Sequence, residues 1–276
     1  MRTRRTRFTS VSELLSAEQE SFRADLQLAL SMADRADVVT MKTFQSSSLR
    51  VETKPDLTPV TEADQATEQL LREILSQERP LDEILGEEFG ETSTASNRRW
   101  VLDPIDGTKN YVRGVPVWST LIALTIDGVP VLGVVSAPAL NRRWWAAKNA
   151  GAWTRALGAE PKRIGVSGVH ELSNASFSYS DAIGWPENGA LTSLNSSTWR
   201  QRAYGDFWSH MLVAEGAVDV SAEPELGAWD MAALIPIIEE AGGKATAFDG
   251  GPALRGGSLV ATNGLLHDQV LPLLQI

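Results

Sequence analysis

Trp100-Val-Leu-Asp-Pro-Ile-Asp-Gly-Thr-Lys-Asn110 is the stretch on which the reading of this chain turns. An apolar run delivers Asp103 to its end, and Pro104, with no N–H to donate, is expected to stop strand pairing there. Asp106 follows after a turn, and the backbone N–H groups of Gly107 and Thr108 are placed to meet an anion. Two carboxylates beside an anion cradle suit a magnesium-dependent phosphate enzyme. Mg²⁺ takes hard oxygen ligands and is held by a few carboxylates plus phosphate oxygens. Taken alone, the segment is also an ordinary turn, since Asp-Pro and Asp-Gly are common turn dipeptides.

Acids elsewhere in the chain bear on that choice. Thr61-Glu-Ala-Asp64 lies upstream, Gly86-Glu-Glu-Phe-Gly90 follows the short apolar run Ile84-Leu85, and Trp229-Asp230 opens an apolar-periodic stretch. Each has a bland alternative. Thr61-x-x-Asp64 matches a capping box, Glu87 and Glu88 read as a solvated acidic turn, and Asp230 reads as a helix N-cap.

Composition narrows the classes. A chain of 276 residues, 43% hydrophobic and 22% charged, can bury a full core as one large domain or two intimate halves. Its net charge of −10 argues against a nucleic-acid binder, which needs a basic face. The absence of cysteine excludes a disulfide framework, a thiolate metal site and a cysteine-phosphatase mechanism. No apolar run approaches the ~18 residues of a membrane span. Met1-Arg-Thr-Arg-Arg-Thr-Arg7 is basic but no apolar stretch follows it, so residues 1–20 read as a poorly ordered extension rather than a secretory signal.

Periodicity gives the organisation. Leu26, Ala29, Leu30, Ala33 and Ala36 predict a helix from Phe22 to Phe44, and a second helix starts at Thr61 after a Pro-bearing loop over 54–59. Ile84 to Gly86 and Trp100 to Asp103 read as buried strands. Thr120 to Ile126 and Val129 to Ser136 form a hairpin across Asp127-Gly128. Trp144 to Ala147 and Ala152 to Thr154 continue the sheet. Beyond lie a helix over Asp206–Gly216, a strand over Ala217–Ala222, and a helix over Asp230–Ala241 closed by Gly242-Gly243. Lys244–Phe248 and Leu259–Thr262 are the last strands. No regular βαβ beat appears, so an α+β arrangement of mixed or antiparallel sheets is expected rather than a doubly wound fold.

The order TEAD, GEE, DPIDGT, WD resembles the inositol monophosphatase family of Mg²⁺-dependent, lithium-sensitive phosphomonoesterases, from about Ala24 to the C-terminus. Within it, the strings KPDLTPVTEAD (54–64), DPIDGTKNYVRGVPVW (103–118), RRWWAA (142–147), RAYGDF (202–207) and ATNGLLHD (261–268) are most similar to bacterial histidinol-phosphate phosphatases. Inositol-type members usually read TTNF and then HRFP, where this chain has Thr108-Lys-Asn-Tyr111 and Arg113-Gly-Val-Pro116. The resemblance implies a layered αβαβα sandwich, one phosphatase domain over 21–276 with halves near 21–150 and 151–276, a homodimer, and a cytoplasmic location. It implies two or three Mg²⁺ per site. Glu87, Asp103 and the Ile105 carbonyl match one metal position, and Asp103, Asp106 and Asp230 match another. Asp64 and Thr108 match the pair that orients the attacking water, while Gly107 and Thr108 match the phosphate cradle.

Arg202 and Glu223 match substrate contacts of the family. Histidinol phosphate carries an ammonium and an imidazole, which suits Glu223, yet inositol hydroxyls also accept a carboxylate. The implied reaction is hydrolysis of L-histidinol phosphate, with an inositol-1-phosphate or broader sugar-phosphate substrate as the alternative. Tyr111 and Trp118 are expected to line the pocket, the other tryptophans to be core, and His170, His210 and His267 to be structural. A haloacid-dehalogenase-type phosphatase needs acids two apart, whereas position 104 is proline. A binding module for the transcription machinery, a role of some bacterial relatives, has no need of all five acids at Asp64, Glu87, Asp103, Asp106 and Asp230.

Overall fold

The computed structural model describes residues 11–47, 49–53 and 59–275. Helix α1 (Val11–Thr43) presents Ala29, Met32, Ala33 and Ala36 on one stripe, small enough to let it lie close on a sheet. Residues 11–20, expected in the extension, are its first turns, while 1–10 fall outside the described residues. Strands β1 (Val51–Thr53) and β2 (Pro59–Thr61) pair, and Thr61 then caps helix α2 (Glu62–Glu78). Most of the Pro-bearing loop, residues 54–58, lies outside the described residues.

The chain continues through β3 (Glu83–Gly86), β4 (Gly90–Thr92), β5 (Arg98–Asp106) and a short helix α3 (Thr108–Val112). Strands β6 (Ser119–Ile126), β7 (Val129–Ala137), β8 (Arg142–Ala147), β9 (Ala152–Ala156) and β10 (Lys162–Arg163) follow. They form an eight-stranded sheet in the order β10-β9-β8-β7-β6-β5-β3-β4, antiparallel except where β3 meets β5. The β6–β7 turn has φ of 53° at Asp127 and 77° at Gly128, the doubly positive geometry that Asp-Gly suits. This sheet runs on to Arg163.

A second sheet of five strands begins with β11 (Ser176–Ser178), followed by helix α4 (Ala190–Ser197), β12 (Arg200–Arg202) and helix α5 (Asp206–Ala214). Strand β13 (Val220–Glu223), helices α6 (Ala228–Met231) and α7 (Leu234–Glu240) and strand β14 (Lys244–Thr246) come next. Helix α8 (Ala253–Gly256), β15 (Leu259–Thr262) and α9 (His267–Leu274) complete the chain, giving the order β12-β11-β13-β15-β14. The single helix expected over Asp230–Ala241 is two. Pro236 has no N–H to donate to the Ala232 carbonyl one turn back, and the helix breaks there.

Side chains alternate between layers. Trp100, Leu102, Ile122, Leu124 and Trp145 pack with α1 and α2. Val101, Leu121, Ala123, Val135 and Trp144 pack on the opposite face with α5 and α7, against Leu259 and Ala261 of the second sheet. Val220, Ala222 and Val260 turn outward to α4 and α9. The result is the expected αβαβα sandwich. Because both faces of the large sheet are covered within one chain, Trp144 and Trp145 are core, as expected of tryptophans outside the motif.

Candidate active site

Strand β5 does not stop at Pro104. It runs to Asp106 with a register shift between Asp103, opposite Leu121, and Asp106, opposite Ser119. The proline falls in that irregularity, where its missing N–H costs no ladder bond, and its carbonyl accepts from Thr120 Oγ1 at 2.8 Å. The shift brings Asp103 and Asp106 to one cavity. Gly107 then turns the chain with φ of 84°, and a Cβ there would stand 2.9 Å from the Val117 carbonyl oxygen, so only glycine fits.

Tyr111 and Trp118 are fully buried behind this turn and do not line the cavity. They pack tilted against Phe44 at centroid distances of 5.4 and 5.3 Å and edge-on against each other at 4.9 Å, and the Tyr111 hydroxyl donates to the Thr40 carbonyl at 2.6 Å. Their apolar bulk was the signal in the sequence, and it serves to seat the motif on α1.

The cavity measures about 640 Å³ and is lined by Glu87, Asp103, Ile105, Asp106, Gly107, Thr108, Glu223 and Asp230, with Trp229 and Phe207 supplying apolar wall. Carboxylate oxygens of Asp103, Asp106 and Asp230 lie within 4.8 Å of one another. Asp230 is the third residue of α6, not its cap, and accepts the Gly227 N–H at 2.6 Å. At the start of α2, Asp64 serves twice. One oxygen closes the capping box, accepting from the Thr61 N–H at 2.8 Å and the Thr61 hydroxyl at 2.5 Å. The other lies 3.4 Å from Thr108 Oγ1, which also reaches the Ile105 carbonyl at 3.0 Å.

So many acids in one buried place disturb each other. Burial, then the charges of Glu87, Asp106 and Asp230, hold the Asp103 carboxyl well above the usual range. Burial and Asp206 do the same to Asp106. Burial lifts Asp230 to about 7 and Asp64 to about 6. Asp103 Oδ1 is buried without a hydrogen-bond partner. A divalent cation would satisfy that oxygen and offset the crowding, and an all-oxygen donor set suits a hard one.

Beside Asp106 the structure adds residues that the sequence reading missed. Asp206 opens α5 at a φ of 47°, with its carboxylate accepting from Asn110 at 2.8 Å and its N–H donating to Ser180 Oγ at 2.9 Å. The next N–H, of Phe207, donates to Asp106 at 2.9 Å. Ser180 Oγ in turn donates to Glu223 at 2.8 Å. Gly205-Asp206 at a helix start was the available signal. Among the described residues Lys109 is the one lysine or arginine lining the cavity. His210 lies beneath, bonded through Nδ1 to Ser221 at 2.8 Å, whereas His267 is held by Thr246 and Thr262. Arg202, expected as a substrate contact, does not line this cavity. It is exposed on edge strand β12, where its guanidinium donates to the Gln201 carbonyl at 2.7 Å.

Residues 22–276 match the inositol monophosphatase family model. The chain belongs to that family. Histidinol-phosphatase of Mycobacterium tuberculosis is 57% identical over 90% of this chain and 96% of its own length. Histidinol-phosphatase of Streptomyces coelicolor is 56% identical over 90% and 95%. Among solved structures, an inositol monophosphatase from Zymomonas mobilis superposes with a TM-score of 0.81 at 31% identity, covering 92% of this chain and 99% of that one. As a member of the inositol monophosphatase family the protein is a phosphoric monoester hydrolase. The family is metal-dependent, and Asp103, Asp106 and Asp230 form a buried group able to hold a metal ion. Among the described residues no helix is long and apolar enough to cross a membrane.

Proposed function

We propose that this chain hydrolyses L-histidinol phosphate to L-histidinol and inorganic phosphate, a step of histidine synthesis carried out in the cytoplasm by a homodimer. The observation that carries the substrate is the name borne by relatives identical at more than half of their aligned positions. The cavity supports it, because Asp206, Ser180 and Glu223 add acidic and polar groups beside the Asp103, Asp106 and Asp230 cluster, where a cationic substrate group would find partners.

In this reading Glu87, Asp103 and the Ile105 carbonyl hold one Mg²⁺, and Asp103, Asp106 and Asp230 a second, with Li⁺ sensitivity as the family resemblance implies. When bound, Mg²⁺ supplies an acidified water and neutralises charge on the phosphoryl and leaving oxygens. The protein's own part is positioning, since phosphoryl transfer asks for little covalent chemistry from side chains. Asp64 and Thr108 orient the water for in-line attack on phosphorus. The Gly107 and Thr108 amides hold the phosphoryl oxygens. As the water oxygen bonds to phosphorus and gives up a proton, the P–O ester bond breaks, and the leaving alkoxide takes up one proton in exchange and departs as the alcohol.

The test compares kcat/KM for histidinol phosphate, inositol 1-phosphate, fructose 1,6-bisphosphate and a 3′-phosphoadenosine nucleotide, each with Mg²⁺ and after EDTA. Histidinol phosphate is expected to lead clearly and EDTA to silence all four. Preference for inositol 1-phosphate would overturn the substrate, and full activity in EDTA the metal. The homodimer rests on the family resemblance alone, and light scattering at micromolar concentration is expected to give twice the 29.9 kDa chain mass.

A further inference from the structure

Strand β3 ends at Gly86, and Glu87 keeps one more parallel bond, its N–H donating to the Leu102 carbonyl at 3.2 Å. The chain then reverses through Glu88 and Phe89 into β4. Both N–H groups of that reversal go to one carboxylate. Glu88 donates to Glu68 Oε2 at 2.7 Å and Phe89 to Glu68 Oε1 at 3.2 Å. Glu68 sits on α2 with 0% of its surface exposed. One helical turn on, Arg72 Nε donates to Glu68 Oε1 at 2.7 Å. The same guanidinium reaches across to the Gly90 carbonyl and to Thr92 Oγ1. The packing is close enough that a Cβ at Gly86 would fall 2.0 Å from Glu68 Oε1.

Four residues earlier on the same face of α2 is Asp64, also with 0% exposure, which reaches Thr108. One rigid helix therefore touches the water-orienting pair at its first turn and the Glu87 loop at its second. We infer that Glu68, braced by Arg72, is a positioning residue that fixes the Glu87 carboxylate at the cavity wall relative to Asp64 and Asp103. The inference rests on the proposed role of Glu87 as a metal ligand. A carboxylate that gathers two successive backbone N–H groups sets the direction of the side chain that immediately precedes them. Partners one layer behind a ligand typically govern metal affinity by about 10–100-fold.

The alternative is an anchor that serves folding alone, and the two differ in what they do to metal binding by folded protein. Mn²⁺ binding to the metal-free full-length chain is followed by electron paramagnetic resonance. The variants are Glu68→Gln, Arg72→Gln and Glu87→Gln, each shown to be folded by circular dichroism at the temperature used. The amide in Glu68→Gln keeps the volume but turns a donor toward a group that needs an acceptor. It is expected to weaken Mn²⁺ binding about tenfold. The Mg²⁺ concentration for half-maximal turnover should rise in parallel, while kcat at saturating Mg²⁺ changes little. Arg72→Gln should shift both the same way by less. Unchanged Mn²⁺ affinity in folded Glu68→Gln overturns the inference. If that variant does not fold, unchanged affinity in Arg72→Gln does so. Glu87→Gln separates the two layers. Should it leave Mn²⁺ affinity intact, the ligand assignment falls and the inference with it. Should it weaken binding while both α2 variants do not, only the inference falls.

Discussion

Asp103→Asn is expected to lose metal binding and turnover together, with kcat down by about 10³-fold or more. Asp103 belongs to the triad of carboxylates within 4.8 Å and carries the buried oxygen that no protein donor meets. An asparagine would keep the shape, lose the charge and turn a donor toward the cation. The fold should not suffer. Burial and neighbouring acids raise the Asp103 pKa above its unfolded value. Its ionisation therefore costs the metal-free native state stability as pH rises, and a neutral amide removes that cost. The metal-free variant should melt at or above the wild-type temperature at pH 7. Thr108→Ala should behave differently. Its hydroxyl lies between the Ile105 carbonyl and Asp64, so its loss should lower kcat by about 10²-fold and leave Mg²⁺ affinity nearly intact. Calorimetric Mg²⁺ titration and kcat for each variant decide this. Equal modest losses in both would contradict the assigned roles.

What could be read from the sequence was whatever local pattern determines. The hairpin at Asp127-Gly128 follows from two positive φ angles that this dipeptide tolerates. The large sheet follows from β-branched runs, and the acids of the cavity from motif order. The misreadings came from tertiary context. Pro104 looked like a strand end, yet the register shift accommodates it without a lost bond. Tyr111 and Trp118 lie beside the motif in sequence but are turned away by α3 to pack on Phe44. Arg202 sits only four residues before Asp206. The edge of a sheet leaves the first in solvent, and the start of α5 carries the second into the cavity. Glu68 had no motif to mark it, because its partners are backbone N–H groups twenty residues on.

Glu223→Gln should separate the substrates. Burial first of all lifts the Glu223 carboxyl to about 8, against the lowering effect of Ser180. A cationic substrate group needs the ionised form, so binding has to expel that proton. The KM for histidinol phosphate should therefore fall as pH rises from 6 toward 8, and this dependence should flatten in Glu223→Gln. The variant should lose about 10²-fold in kcat/KM for histidinol phosphate, the effect of removing one partner of a buried charged pair, about 3 kcal/mol. For an ester whose alcohol part carries no charge, such as inositol 1-phosphate, the loss should be much smaller, because an amide still offers an acceptor to a hydroxyl. The pH profile guards against the trivial outcome. A variant that only distorted the cavity would lose activity on both substrates and keep the wild-type pH dependence on histidinol phosphate. Equal losses with an unchanged profile would remove Glu223 from substrate recognition and leave recognition of the cationic group to Asp206.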